Sequence, residues 1–162
     1  MEAGIKRVLF VCTGNICRSP TAEGVARHLA GMSGASGWVE FDSAGTHGYH
    51  VGEPPDPRAI KTAAKRGYDL SGLRARKLEG RDFQYFDLLL AMDLGHLEIM
   101  RRACPEVYRP KLGLFMRYAR EHDRDEVPDP YYGGANGFEA VLDYCEDGAE
   151  GLIEVIKRHG AE

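Results

Sequence analysis

The chain has 162 residues, enough for one domain with a buried core. With 43% hydrophobic and 28% charged residues it reads as a water-soluble globular protein, and a net charge of −4 argues against a general nucleic-acid binder, which needs a basic face. Four cysteines make no disulfide framework, and no apolar run is long enough for a signal peptide or a membrane span. The expectation is a cytoplasmic protein, one domain over residues 1–162, with no membrane or nucleic-acid partner.

In chain order, Val8-Leu9-Phe10-Val11 is a continuous apolar run, which predicts a strand buried on both faces. After Pro20, Ala22, Val25, Ala26, Leu29 and Met32 fall at helical spacing. "WVEFDSAG", from Trp38, alternates and predicts a strand nearer a sheet edge. Asp56-Pro57 reads as an N-cap followed by proline at the first helical position. Ala59, Ile60, Ala63 and Ala64 form that helix's face, and Gly67 stops it. Leu88 to Met92 is a second buried strand. A helix then starts near Asp93, with Leu97, Met100 and Cys104 inward, and Lys111 to Phe115 is a weaker strand. The charge-dense "RYAREHDRDE" (Arg117 to Glu126) reads as a solvated loop. Asn136 and Glu139 resemble a capping box opening the longest stripe, which runs from Phe138 through Val141, Leu142, Cys145, Ala149, Leu152 and Ile153 to Ile156. Strands alternating with helices predict an α/β fold, a parallel sheet with helices on both faces. Ligands in such sheets bind beyond the carboxyl ends of the strands.

At such an end stands "VCTGNICRSP" (Val11 to Pro20). The helix that follows offers unpaired N–H groups and the positive end of its dipole. Gly14 and Asn15 are expected at positive φ, which curls the loop into an anion cradle. Arg18 adds a planar fork matched to phosphate oxygens. These groups favour a thiolate at Cys12, beneath a bound phosphate, a set-up for nucleophilic phosphoryl transfer. With no Walker lysine after Gly14, ATP is not the expected ligand. A lone cysteine ending a strand is ordinarily a core residue; the pattern Cys-x5-Arg-Ser between strand and helix carries the functional reading. Expelling an oxygen leaving group in such a transfer also needs a proton donor. Composition does not choose among Asp87, Asp93, Asp123, Asp125 and Asp129, although "VPDPYY" stiffens the backbone around Asp129.

"CTGNICRS" resembles the phosphate loop of the low-molecular-weight protein tyrosine phosphatases, and "DPYY" (Asp129 to Tyr132) resembles their acid loop. "DSAGT" and "GEPPDPRA" have the family's look, and the likeness spans nearly the whole chain. It implies a four-stranded parallel sheet in a flavodoxin-like three-layer sandwich. It implies a phosphatase with no cofactor or metal, working through a phosphocysteine on tyrosine-phosphorylated proteins or small aryl phosphates. A monomer, with room for weak self-association, is the expectation for the chain. By position, Cys12 is the nucleophile, Arg18 binds the phosphoryl group, and Asp129 is the general acid and then base. Thr13, Gly14, Asn15, Ile16 and Cys17 complete the loop; Ser19 hydrogen-bonds the thiolate, and Asn15 with Ser43 supports the strained backbone. Tyr49, Tyr131 and Tyr132 flank the crevice, and Cys17 serves as redox partner of Cys12. Two positions depart from the pattern: many members carry tryptophan where Tyr49 stands and an apolar residue where Thr13 stands.

Three rival readings use the same residues. Arsenate reduction on this fold needs two further cysteines close together, and only Cys104 and Cys145 remain. A zinc site would take Cys12, Cys17, His47 and His50. A catalytically idle phosphate-binding module would keep the cradle alone.

Overall fold

The computed structural model describes residues 4–35, 37–130 and 135–160. Along the chain run β1 (Arg7–Cys12), α1 (Arg18–Met32), β2 (Glu40–Gly45), α2 (Pro57–Ala64), α3 (Gly80–Tyr85), β3 (Leu88–Ala91), α4 (Leu94–Ala103), β4 (Leu112–Leu114) and α5 (Ala135–Gly160). Short 3-10 turns at Glu106–Lys111 and Phe115–Tyr118 flank β4. The sheet order is β2-β1-β3-β4 and every pair is parallel, a flavodoxin-like arrangement.

Period-two alternation in β1 divides the core between the two faces of the sheet. Val8 and Phe10 join Ala22, Val25 and Ala26 of α1 and Val141, Leu142 and Cys145 of α5. Leu9 and Val11 join Phe83 of α3 and Leu97 and Met100 of α4. Phe10 stacks on Phe41 and meets the edge of Phe115, with centroids 5.9 and 5.2 Å away. Burying that ring contributes about 1.5–3 kcal/mol. The direction of strand addition reverses between β1 and β3, so their carboxyl ends open a crevice at the switch point.

The inner strands β1 and β3 are those read as buried runs, and β2 and β4 are the edges. Asp56 caps α2 by accepting from Arg58 N at 2.8 Å, and Gly67 leaves that helix at φ +91°. Four details differ from the sequence reading. The six-residue α3 was not anticipated, because it buries only Asp82 and Phe83, and such a short stripe has no readable period. Met32, at the last turn of α1, is exposed rather than inward. Asn136 is not a cap: α5 already begins at Ala135, and the Glu139 carboxylate pairs with Arg66 at 2.8 Å. The charged run after β4 is not merely solvated, since Asp147 of α5 accepts from the backbone N–H groups of Arg120, Glu121 and His122.

Candidate active site

Between β1 and α1 the chain has five residues in which to turn a strand into a helix. Outside donors hold the loop's carbonyls. Thr46 N donates to Cys12 O (2.8 Å), His47 N to Thr13 O (3.0 Å) and Asp56 N to Ile16 O (2.8 Å). Asn15 sits at φ 60°, as expected. Gly14 does not share that conformation; positive φ among the described glycines occurs at Gly34, Gly52 and Gly67. At position 14 a Cβ would lie 2.9 Å from the His50 ring, so a larger residue would have to displace that part-exposed side chain. Glycine is needed at position 45, where a Cβ would meet the backbone oxygen of Thr13 at 2.7 Å; its absence lets the end of β2 lie against the loop.

Cys12 is buried, with its sulfur 2.9 Å from Ser19 Oγ and 3.4 Å from the Ser19 N–H in the first turn of α1. The Asn15 amide donates to Ser19 Oγ (2.8 Å) and Ser43 Oγ (2.9 Å), and its oxygen accepts from Arg76 N (2.9 Å). Ser43 in turn donates to Glu23 Oε1 at 2.6 Å. Because Ser19 Oγ receives a hydrogen from Asn15, its own hydrogen is free to point at Cys12. Asn15 and Ser43 therefore lie behind the cavity and fix the group that meets the sulfur.

Arg18 is 4% exposed. Its Nη1 donates to Asp93 Oδ2 and to Val127 O, both at 2.9 Å, and its Nη2 lies 3.7 Å from Asp129 Oδ2. Among the five candidate acids, geometry discriminates. Asp87 binds the backbone of Lys6 and Arg7 at the opposite end of the sheet, while Asp123 and Asp125 are exposed. Asp93 spends one oxygen capping α4 and the other on Arg18. Burial opposes its charge, yet the His96 N–H and the neighbouring His96 and Arg18 hold it below the usual carboxylate range. Asp129 is half-exposed and lines the cavity.

That cavity, about 250 Å³, is bounded by Cys12, Thr13, Gly14, Ile16, Cys17, Arg18, Tyr49, His50 and Asp129. Tyr49 is 71% exposed at the rim and stacks on His47. The expected crevice residues Tyr131 and Tyr132 lie outside the described residues. Burial, followed by the charge of Asp56 and the neighbouring Cys12, pushes the Cys17 thiol up to about 12. The sequence pointed to His50 only as a zinc candidate and did not point to His96, Glu23 or Arg76. None of those three belongs to a local motif; each reaches the loop through the fold.

Two of the three rival readings, arsenate reduction and the zinc site, lose their geometric support. Cys145 is buried with α1 on one face of the sheet and Cys104 with α4 on the other, so they form no adjacent pair for arsenate reduction. Among the described residues no three His, Cys, Asp or Glu side chains are grouped to hold a metal. His50 instead meets Glu53 at 3.1 Å.

Residues 7–162 match the family described as low molecular weight phosphotyrosine protein phosphatase. The chain is 45% identical over 154 residues to the low molecular weight protein-tyrosine-phosphatase of Streptomyces coelicolor, covering 93% of each. It is 39% identical over 145 residues to the low molecular weight phosphotyrosine protein phosphatase of Rattus norvegicus, covering 89% of this chain and 91% of the relative. A crystal structure of a protein tyrosine phosphatase from Entamoeba histolytica, with Hepes in the active site, superposes with a TM-score of 0.92 at 38% identity, covering 94% of this chain and 97% of that one.

Proposed function

The chain belongs to the low molecular weight phosphotyrosine protein phosphatase family, and from that premise we propose that it hydrolyses phosphotyrosine and other aryl phosphate monoesters on Cys12, Arg18 and Asp129, without a metal or cofactor. The observation that carries the assignment is that this sulfur, guanidinium and carboxylate line one cavity. The phosphoryl oxygens take the loop N–H groups and the Arg18 fork. The Cys12 thiolate forms an S–P bond as the P–O bond to the phenol breaks, and Asp129 gives the leaving oxygen its proton. Water then attacks phosphorus and yields a proton to Asp129; the S–P bond breaks, and the Ser19 hydroxyl stabilises the returning thiolate. Inorganic phosphate leaves.

Turnover of aryl phosphates spanning a range of phenol pKa tests the roles. Cys12→Ser should abolish turnover. Asp129→Asn should slow poor leaving groups most, by about 10²–10⁴-fold, the usual worth of general acid catalysis. An equal loss for every phenol removes Asp129 from the role. Activity abolished by a chelator and restored by zinc would overturn the metal-free reading.

The same reading makes Cys17 a guard of the nucleophile. It lines the cavity with Cys12, and as a protonated thiol it does not compete for the phosphoryl group. Peroxide oxidises the Cys12 thiolate to a sulfenic acid; the Cys17 sulfur then attacks it, the S–S bond forms, the S–O bond breaks and water leaves. After peroxide and then dithiol, wild type should recover activity and Cys17→Ser should not; equal recovery assigns Cys17 to packing. A single domain spanning residues 1–162 completes the reading, supported by the family match over residues 7–162; among the described residues no helix is long and apolar enough to cross a membrane.

A further inference from the structure

The reaction above uses no imidazole, yet one lies beneath its arginine. His96, in the first turn of α4, is 5% exposed at the side chain. Its Nε2 is 2.7 Å from Thr13 Oγ1 and 3.5 Å from Arg18 Nη2, and its Nδ1 is 3.1 Å from Asp93 Oδ1 without the geometry of a hydrogen bond.

These contacts select a protonation state. A guanidinium only donates, so a favourable contact with Arg18 needs a lone pair on Nε2. The ring proton then sits on Nδ1, 3.1 Å from Asp93 Oδ1, where the carboxylate's charge favours it although no hydrogen bond forms. The opposite tautomer would aim an N–H at the guanidinium and a lone pair at the carboxylate. A doubly protonated ring would place a second buried cation beside Arg18, and burial pushes His96 down to about 4. With Nε2 an acceptor, the Thr13 hydroxyl donates to it.

We propose that His96 is a positioning residue for the phosphate cradle, a neutral imidazole that draws in Thr13, the first loop residue, and braces Nη2 of Arg18. Nη1 is already fixed by Asp93 and Val127, whereas Nη2 lies between His96 and the Asp129 carboxylate. Without the brace, Nη2 closes on Asp129, and one contact then occupies both the fork and the acid. The pairing also explains the departure at position 13: threonine stands there because its hydroxyl has a buried acceptor. The proposal rests on the phosphatase reading for its kinetic consequence, but not for its binding consequence.

The experiment combines spectroscopy with variants. In ¹⁵N-histidine-labelled protein at neutral pH, His96 should show a pyrrole-type Nδ1 and a pyridine-type Nε2; the reverse pattern overturns the proposal without any variant having to fold. Inorganic phosphate is then titrated calorimetrically into wild type, His96→Leu, His96→Gln, Thr13→Val and the Thr13→Val/His96→Leu double variant. Losing a hydrogen bond to a charged partner predicts about tenfold weaker phosphate binding in His96→Leu. The Gln amide, which can present an acceptor near the Nε2 position, should restore most of it. Thr13→Val should weaken binding less, and its effect should largely vanish in the double variant. Unchanged affinity in His96→Leu, failure of Gln to rescue, or simple additivity overturns the brace. If wild type binds phosphate but turns over no aryl phosphate, the phosphatase reading fails and the binding result still decides His96.

Discussion

Asn15 concentrates the design of the loop in one side chain. It is the non-glycine residue with positive φ among the described residues, and its amide meets Ser19, Ser43 and Arg76 N. Asparagine tolerates that backbone region better than most residues. The two contributions can be separated. Asn15→Gly keeps the backbone free but removes the three hydrogen bonds, whereas Asn15→Ala also imposes a left-handed conformation that costs about 1–2 kcal/mol. Urea unfolding should therefore rank wild type above Gly and Gly above Ala. Both variants should lose activity, since Ser19 no longer has its hydrogen directed at Cys12. Equal stability of the Gly and Ala variants would show that φ at position 15 relaxes in solution.

The loop that carries Asp129 is moored at the scale of whole elements. Asp147 of α5 collects the N–H groups of Arg120, Glu121 and His122 and the His122 ring at 2.7–2.9 Å. Further along, Glu126 accepts from Leu94 N, Val127 N donates to Met92 O, and Val127 O receives Arg18. Burial opposes the Asp147 charge, but the Arg120 N–H and the His122 side chain lead the bonds that hold it below its ordinary value of 3.8. A depressed carboxylate contributes stability that is present above that value and lost as pH falls through the folded one. Asp147→Ala should cost about 2 kcal/mol near neutral pH, as expected for donors left without a buried acceptor. The gap from wild type should close under acid conditions, and kcat should fall most for poor leaving groups. A gap that persists unchanged at pH 3 would show that Asp147 acts through packing and not through its charge. This mooring was invisible in the sequence, where Arg117 to Glu126 reads as a run of charges. The strands and the four longer helices were legible because their periods repeat over several turns or along a buried run. Helix α3 was not, having one turn to declare itself, and Asn136 misled because a capping pattern is also compatible with the inside of a first turn.

Across the whole molecule, the nucleophile loop was legible because its chemistry is local: Cys12, Arg18 and Ser19 lie within eight residues. Its supports were not, since Glu23 of α1, Arg76, and Asp93 with His96 at the start of α4 come from three separate parts of the chain and meet only after the sheet has formed. Those supports also shape stability against pH. Asp56, Asp93 and Asp147 are all held below the usual carboxylate range, so each withdraws stability as acid protonates it. Glu23 acts in the opposite sense. Burial raises it, outweighing the Ser43 hydrogen bond and the Arg27 ion pair at 2.7 Å. A carboxyl group whose folded value is raised contributes stability fully below its ordinary value, here 4.5, and loses that contribution as pH rises through the folded value. At neutral pH its charge is therefore a net cost beneath the phosphate loop. Glu23→Gln keeps an oxygen for Ser43 and removes the charge. Its melting temperature should exceed that of wild type at pH 7.5, and the advantage should shrink as pH falls and disappear below about pH 4.5. Melting curves of the two proteins from pH 4 to pH 8 test this directly. A variant less stable than wild type at pH 7.5 would mean that the Arg27 pair outweighs burial and that the buried carboxylate is held charged by design.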